Sequence, residues 1–260
     1  MERSFYAVLL TQLARIVDMT SLPWPLSIRQ FILEKRTECI EIACRSFSDQ
    51  IPETIARSVS KRQYEFIIGR LATEVLLIEN GISLENNQFQ LWQDRPLWKS
   101  GVVGSISHSH QLVAVSIALP QYSIGSMGID IEFLDQEEEI TVAIRSCFTP
   151  EERVALEQIE NGLLVGFSMK EALFKCLHPL VGTFIDFLDA EITHIDTIAQ
   201  SMNGMLCQSL GGNLNAGTQF QGHYRKFRNH VWTGVFWSSA ERDGVRICST
   251  HSTQISRGLD

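Results

Sequence analysis

Apolar and polar positions change period several times along this chain. Across residues 51–80 the period is helical: Tyr64, Ile67, Ile68, Leu71, Val75 and Ile78 form one stripe, Pro52 and Glu53 suit a first turn, and Gly81 suits a stop. Residues 102–119 switch to a period of two. Val102-Val103-Gly104-Ser105-Ile106-Ser107 approaches a turn at His108-Ser109-His110, and Val113, Val115, Ile117 and Leu119 alternate back, which predicts a pair of strands. Ile129, Ile131 and Phe133 alternate with Asp130 and Glu132, so a strand there points both carboxylates to one side. Thr149-Pro150-Glu151-Glu152 has the form of a capping box, and Asn161-Gly162 reads as the end of the helix it opens. The next helix carries Leu163, Leu164, Phe167 and Phe174 as its stripe, with Glu171 in the middle, and is expected to stop before Pro179.

The remaining segments are less patterned. Ile40, Ile42 and Cys44 alternate as in a strand, and Ser21-Leu22-Pro23-Trp24-Pro25 reads as a loop. Asp135 and Glu137-Glu138-Glu139 read as a solvated loop. Residues 184–195 and 230–237 read as strands either side of a turn-rich segment at 211–217, and the residues after 240 as a loose tail.

Length and composition narrow the class. A chain of 260 residues with 44% hydrophobic and 20% charged residues forms one large domain or two smaller halves. A formal charge of -8 argues against general binding of nucleic acid or anionic membrane, so a polyanionic ligand needs a local basic pocket. The six cysteines form no Cys-x-x-Cys pair and the seven histidines no His-x-x-x-His pair, which predicts reduced thiols, no zinc and a cytoplasmic location. The apolar stretch at 5–10 is too short for a membrane span, and no small-residue cleavage site follows it.

Asp130, Glu132 and Glu171 carry the candidate chemistry. Two carboxylates on a strand and one on an apolar helix face are explained together if they converge on a hard divalent cation, and oxygen-only ligation suits Mg²⁺. The plainer reading makes Asp130 and Glu132 the wet face of an edge strand, and Glu171 with Lys175, four residues on, a surface pair. Spacing leaves both open. Ser107 beside His108 does not make a hydrolase, since the nucleophile elbow is absent and sequence adjacency is not triad geometry.

Three blocks resemble the 4'-phosphopantetheinyl transferases, in the branch of enterobactin synthetase component D. They are Gly104-Ser105-Ile106-Ser107-His108, Gly128-Ile129-Asp130-Ile131-Glu132 and Ser168-Met169-Lys170-Glu171-Ala172-Leu173-Phe174-Lys175. The resemblance implies an α+β fold of two similar α/β halves about a pseudo-twofold axis, each a small, mostly antiparallel sheet packed on helices. The halves would be residues 1–125 and 126–240, followed by a tail at 241–260. It implies a monomer that moves the phosphopantetheine arm of coenzyme A to a serine of an apo carrier protein, in siderophore or other nonribosomal peptide or polyketide assembly, and releases 3',5'-ADP. Asp130, Glu132 and Glu171 would hold Mg²⁺, Glu171 would act as general base, and Lys175 would sit beside the leaving oxygen. A carboxylate on Mg²⁺ is a weakened base, so the two roles of Glu171 compete. Lys61, Arg62, Arg70, Arg95, Ser107, His108 and Lys175 would contact coenzyme A phosphates. This chain departs from the branch at Lys99, where a proline is expected, and at Phe167, where a tryptophan is expected. An inactive coenzyme A-binding relative and an Mg²⁺-dependent phosphohydrolase are the rival readings.

Overall fold

The run Leu112-Val113-Ala114-Val115-Ser116-Ile117-Ala118 has no polar face to give to water, and in the computed structural model all seven residues are buried. The structure describes residues 14–16, 28–34, 51–82, 91–92, 95–96, 98, 101–110, 112–119, 123–135, 138–238 and 246–247. In chain order these give β1 (Ala14–Ile16), β2 (Ile28–Glu34), α1 (Glu53–Ala56), α2 (Ser60–Glu79), β3 (Leu91–Trp92), β4 (Arg95–Pro96), β5 (Val103–Ser109), β6 (Leu112–Ala118) and β7 (Ile124–Phe133). Then come α3 (Glu138–Ile144), α4 (Pro150–Leu156), α5 (Gly162–Val181), β8 (Ala190–Asp196), β9 (Ser201–Leu206), β10 (Gln219–Phe227), β11 (His230–Ser238) and β12 (Arg246–Ile247).

One sheet runs β1-β2-β6-β5, a second runs β7-β11-β10-β9-β8 with β12 parallel to β10, and β3 pairs with β4; every described pair but β10–β12 is antiparallel. The class is α+β, antiparallel sheets packed on helices. Val113, Val115 and Ile117 of β6 share a core with Ile67, Ile68 and Leu71 of α2. Leu112 and Ala114 turn the other way, toward Ile129, Ile131 and Trp232 of the second sheet. The far face of that sheet is covered by α5, where Val165, Met169, Ala172 and Cys176 are at most 1% exposed. The layers thus run α2, sheet, sheet, α5.

This layering fixes the register of β7. Each of Ile129, Ile131 and Trp232 gains roughly 1.5–3 kcal/mol on burial, and a slip of one residue would drive Asp130 and Glu132 into that seam. On the opposite face Gly128 meets α5 backbone to backbone. A Cβ there would lie 1.9 Å from the Ala172 carbonyl oxygen and 2.5 Å from the Cys176 nitrogen, so only glycine lets the helix so close.

Several boundaries differ from the sequence expectation. The helix at 51–80 breaks into α1 and α2, and Ile78 at its end is 48% exposed. Gly81 does stop it, in the left-handed region at φ 74°. Asn161, at φ 58°, is the cap of α5 and not the end of α4, which closes at Leu156; asparagine tolerates that conformation. Helix α5 runs through Pro179 to Val181, because a proline in the last turn forfeits a single hydrogen bond and Gly182 then caps the helix at φ 70°. The hairpin turns at His110, one residue beyond β5, and not across 108–110.

Residues 184–189 form a loop and a 3₁₀ turn before β8, where a strand was expected. Glu138 and Glu139 of the acidic run open α3, and part of the tail pairs as β12. The expected strand at 40–44 and loop at 21–25 lie outside the described residues. Among the described residues no helix is long and apolar enough to cross a membrane.

Candidate active site

Asp130 sits on the face of β7 that looks at α5, and it is 4% exposed. A carboxylate so buried is costly unless donors surround it. Its Oδ1 accepts from Lys175 Nζ at 2.6 Å and from Ser107 Oγ at 2.8 Å, and its Oδ2 from Ser168 Oγ at 2.9 Å. Lys175 Nζ also donates to Ser107 Oγ at 3.1 Å, and 29% of the lysine side chain stays exposed. The ammonium therefore stands at the mouth of the site. Ser107 comes from β5, whose Ser105 Oγ accepts from the Ile129 amide at 3.0 Å, so a serine of the first sheet takes up one amide of the edge strand β7.

Glu132 and Glu171 share the field of Asp130. The Glu132 carboxyl is pushed up to about 8, by burial first and then by Asp130 and Glu171, against the downward pull of Lys175. Burial likewise holds Glu171 above the usual range, with Lys175 pulling it down and Asp130 up. Glu171 lies at the rim of the buried helix face and not in its middle, which is the Val165, Met169, Ala172 and Cys176 stripe.

Among the described residues no three His, Cys, Asp or Glu side chains stand close enough, as placed, to hold a metal ion. Lys175 is the counter-charge on Asp130 instead. The donor set still has the chemistry of a hard divalent cation: oxygen only, partly buried, and short of positive charge.

The basic residues lie on and near α2. Arg70 is 5% exposed, with its guanidinium 4.9 Å from the centre of the Phe66 ring and no carboxylate partner among the described residues. Burial, and then the charge of Arg62, pull it down to about 10, so it stays cationic at neutral pH. Arg62 is exposed, and its Nη1 lies 3.2 Å from His108 Nε2. His108 Nδ1 lies 3.4 Å from a carboxylate oxygen of the buried Glu65. An arginine only donates, so Nε2 is the acceptor and Nδ1 carries the proton toward Glu65. Lys61 is exposed in the first turn of α2, and the Arg95 side chain lies outside the described residues.

Sequence reasoning missed four residues here. Ser168 lies inside a block already singled out, but only the fold turns its hydroxyl to Asp130. Thr233 read as one more position in an alternating strand. Glu65 gave no signal beyond its place two residues past Gln63 in a helix. Lys170 precedes Glu171, yet it is 2% exposed and binds away from the site: Nζ meets both Glu152 oxygens, at 2.8 and 2.9 Å, and the carbonyls of Cys147 and Phe187, each at 3.0 Å. Beside Glu171 an apolar cavity of about 240 Å³ is lined by Phe174, Leu177, Phe184, Ile185 and Phe187. Phe167, where a tryptophan was expected, stacks on Phe187 at 5.4 Å.

The family profile described as the 4'-phosphopantetheinyl transferase superfamily matches residues 126–238. That of the 4'-phosphopantetheinyl transferase N-terminal domain matches residues 51–118. Among curated proteins, the chain is 32% identical over 158 residues to 4'-phosphopantetheinyl transferase Npt of Nocardia iowensis, covering 58% of this chain and 68% of that one. It is 31% identical over 147 residues to enterobactin synthase component D of Salmonella typhi, covering 55% and 59%, and 30% identical over 147 residues to 4'-phosphopantetheinyl transferase PptT of Mycobacterium tuberculosis, covering 54% and 61%. The chain thus spans between 59% and 68% of the length of these three relatives. With two profiles matched in chain order, the acidic strand and the helix of Glu171 and Lys175 inside the first of them, and a relative covered over two thirds of its length, the chain belongs to the 4'-phosphopantetheinyl transferase superfamily.

Proposed function

We propose that this chain transfers the 4'-phosphopantetheine arm of coenzyme A to a serine hydroxyl of an apo carrier protein and releases 3',5'-ADP. The observation that carries the reading is the field shared by Asp130, Glu132 and Glu171 with Lys175 at its mouth. Carboxylates short of positive charge, beside a lysine free to leave Asp130, suit a pyrophosphate that arrives with Mg²⁺. Asp130, Glu132 and Glu171 are the side chains that would hold the ion, which when bound supplies charge neutralisation at the phosphoryl oxygens.

The serine oxygen attacks the phosphorus that bears the pantetheine arm, and the bond from that phosphorus to the bridging oxygen breaks. Glu171 is assigned the serine proton, a role that competes with its place on the ion. Lys175 offsets the charge that develops on the leaving oxygen. Glu171 also lines the apolar cavity, which supports assigning the cavity to the uncharged arm. Lys61, Arg62, Arg70, Arg95, Ser107 and His108 are assigned to the phosphates of coenzyme A, and the best support for this is Arg70, buried and without a carboxylate partner among the described residues. Likeness to enterobactin synthase component D favours a carrier domain of siderophore or other nonribosomal peptide assembly.

The test incubates purified chain with coenzyme A, Mg²⁺ and a panel of apo peptidyl and acyl carriers. A phosphopantetheine mass gain on the carrier serine is expected. Binding without turnover, or carrier-independent cleavage of coenzyme A, would overturn the assignment in favour of an inactive relative or a phosphohydrolase.

A further inference from the structure

Thr233 lies on β11 directly opposite Asp130, outside all three blocks that carry the family resemblance. Its Oγ1 is 2.8 Å from the Ser168 carbonyl oxygen and 2.8 Å from Ser168 Oγ, and Ser168 Oγ is 2.9 Å from Asp130 Oδ2. Ser168 and Thr233 are 0% exposed, so water has no access to replace either hydroxyl. We infer that Thr233 is a positioning residue, which acts through Ser168 to hold the Asp130 carboxylate in its working orientation.

Proton accounting sets the direction of the relay. Ser168 has one hydroxyl proton and two oxygen neighbours, and the carboxylate can only accept. Ser168 therefore gives its proton to Asp130, and Thr233 shares its own between the two Ser168 oxygens. β-Branching fixes the Thr233 rotamer, so this hydroxyl is held in place before Asp130 has any other ligand.

The relay matters because the opposite oxygen of Asp130 loses its donors during the proposed reaction. Lys175 and Ser107, which hold Oδ1, are the groups that turn to phosphate. Ser168 is then the donor left on Asp130. The inference rests on the transferase reading, since only there do Lys175 and Ser107 have another partner to meet.

The test compares wild type with Thr233→Val, Thr233→Ser, Ser168→Ala and the double variant Ser168→Ala/Thr233→Val. The readouts are kcat, the KM for coenzyme A, thermal melting, and binding of Mn²⁺ alone, followed by the loss of its free EPR signal. Thr233→Val keeps the shape and removes the hydroxyl. It should lower kcat about tenfold and weaken Mn²⁺ binding about fivefold, with the KM for coenzyme A within about twofold of wild type, the size expected for one buried hydrogen bond. Thr233→Ser should restore most of both losses, and the double variant should be no worse than Ser168→Ala.

Wild-type kcat and Mn²⁺ affinity in Thr233→Val would overturn the inference, as would multiplying losses in the double variant. A Thr233→Ser protein as impaired as Thr233→Val would also overturn it, by assigning the effect to packing. Should Thr233→Val fail to fold, Ser168→Ala decides: unchanged Mn²⁺ binding and kcat there remove the relay. Failure of the wild type to modify any carrier would overturn the transferase reading itself, while the Mn²⁺ measurements would still judge the relay.

Discussion

Helix α5 carries two lysines, each in a salt bridge with a carboxylate, and the two pairs differ in everything except their chemistry. Five residues separate Lys170 from Lys175, which sets them about 140° apart around the helix. The Lys170–Glu152 pair is closed. Its side chains are 2% and 0% exposed, the ammonium also meets two carbonyls, and Glu152 also accepts from the amides of Thr149 and Ile192, each at 2.8 Å. The Lys175–Asp130 pair is open: the lysine is 29% exposed, and its neighbours Glu132 and Glu171 are both lifted, by burial first and then by the charge of Asp130. A pair with every lone pair taken knits α4, α5 and β8 together. A pair set among unneutralised acids is ready to exchange its counter-ion for something else.

The sharpest way to break this contrast is to remove each lysine in turn. Lys175→Met should lower transfer about 10³-fold or more, since its charge is assigned to the leaving oxygen, and should cost less stability than Lys170→Met because Ser107 and Ser168 still donate to Asp130. Asp130→Ala should abolish turnover while coenzyme A binding partly survives, because Arg62, Arg70 and His108, the side chains assigned above to its other phosphate, are untouched; undiminished transfer would contradict the metal assignment. Lys170→Met should do the reverse of Lys175→Met. It leaves Glu152 buried and charged, and denaturant titration should show about 3–5 kcal/mol lost. If Lys170→Met melts like wild type, or Lys175→Met turns over like it, open and closed pairs are not different things.

The open pair was the more legible of the two. Alternation around Asp130 and Glu132 announced a strand with its acids on one side, and β7 is that strand. The closed pair was only half legible: the capping box of α4 was written in Thr149 and Glu152, but nothing local says that Glu152 also reaches Lys170 across to another helix. Strands β9 and β10 were missed for a related reason. β10 reads Gln-Phe-Gln-Gly-His-Tyr-Arg-Lys-Phe, whose glycine and charges look like loop, yet a Cβ at Gly222 would lie 2.1 Å from the Met169 sulfur. That glycine makes room for a side chain of a helix more than fifty residues away, and no window of sequence contains it.

Gly128 tests how closely the open pair depends on the approach of α5 to β7. Gly128→Ala puts a methyl against the backbone at Ala172 and Cys176, and neither can yield without moving the helix that carries Glu171 and Lys175. Overpacking of this kind costs about 1–3 kcal/mol. Activity should fall by more than the population unfolded accounts for, with the loss in kcat. A variant that is destabilised but fully active per folded molecule would show that the site tolerates a wider gap.

His230 sharpens the comparison from the other side, as an ionisable group with no pair among the described residues. It is 7% exposed, and neither ring nitrogen has a hydrogen-bond partner among the described residues. Its ring packs edge-on to Phe133 at 5.1 Å and over Phe227 at 5.9 Å. Burial, with His110 and Arg228 against the weaker pull of Asp135, lowers its pKa from 6.5 to about 4. The unfolded chain therefore binds the proton more readily, so this contribution to stability is complete above about pH 6.5 and is lost as the pH falls toward 4. Between pH 7 and 5 the loss should be about 1–2 kcal/mol. His230→Phe keeps the ring and cannot charge, so urea titrations at the two pH values should show wild type losing that much more than the variant. An equal loss in both would mean that this histidine takes its proton in the folded state as easily as in the unfolded one, and that burial without a partner does not discharge a side chain in this fold.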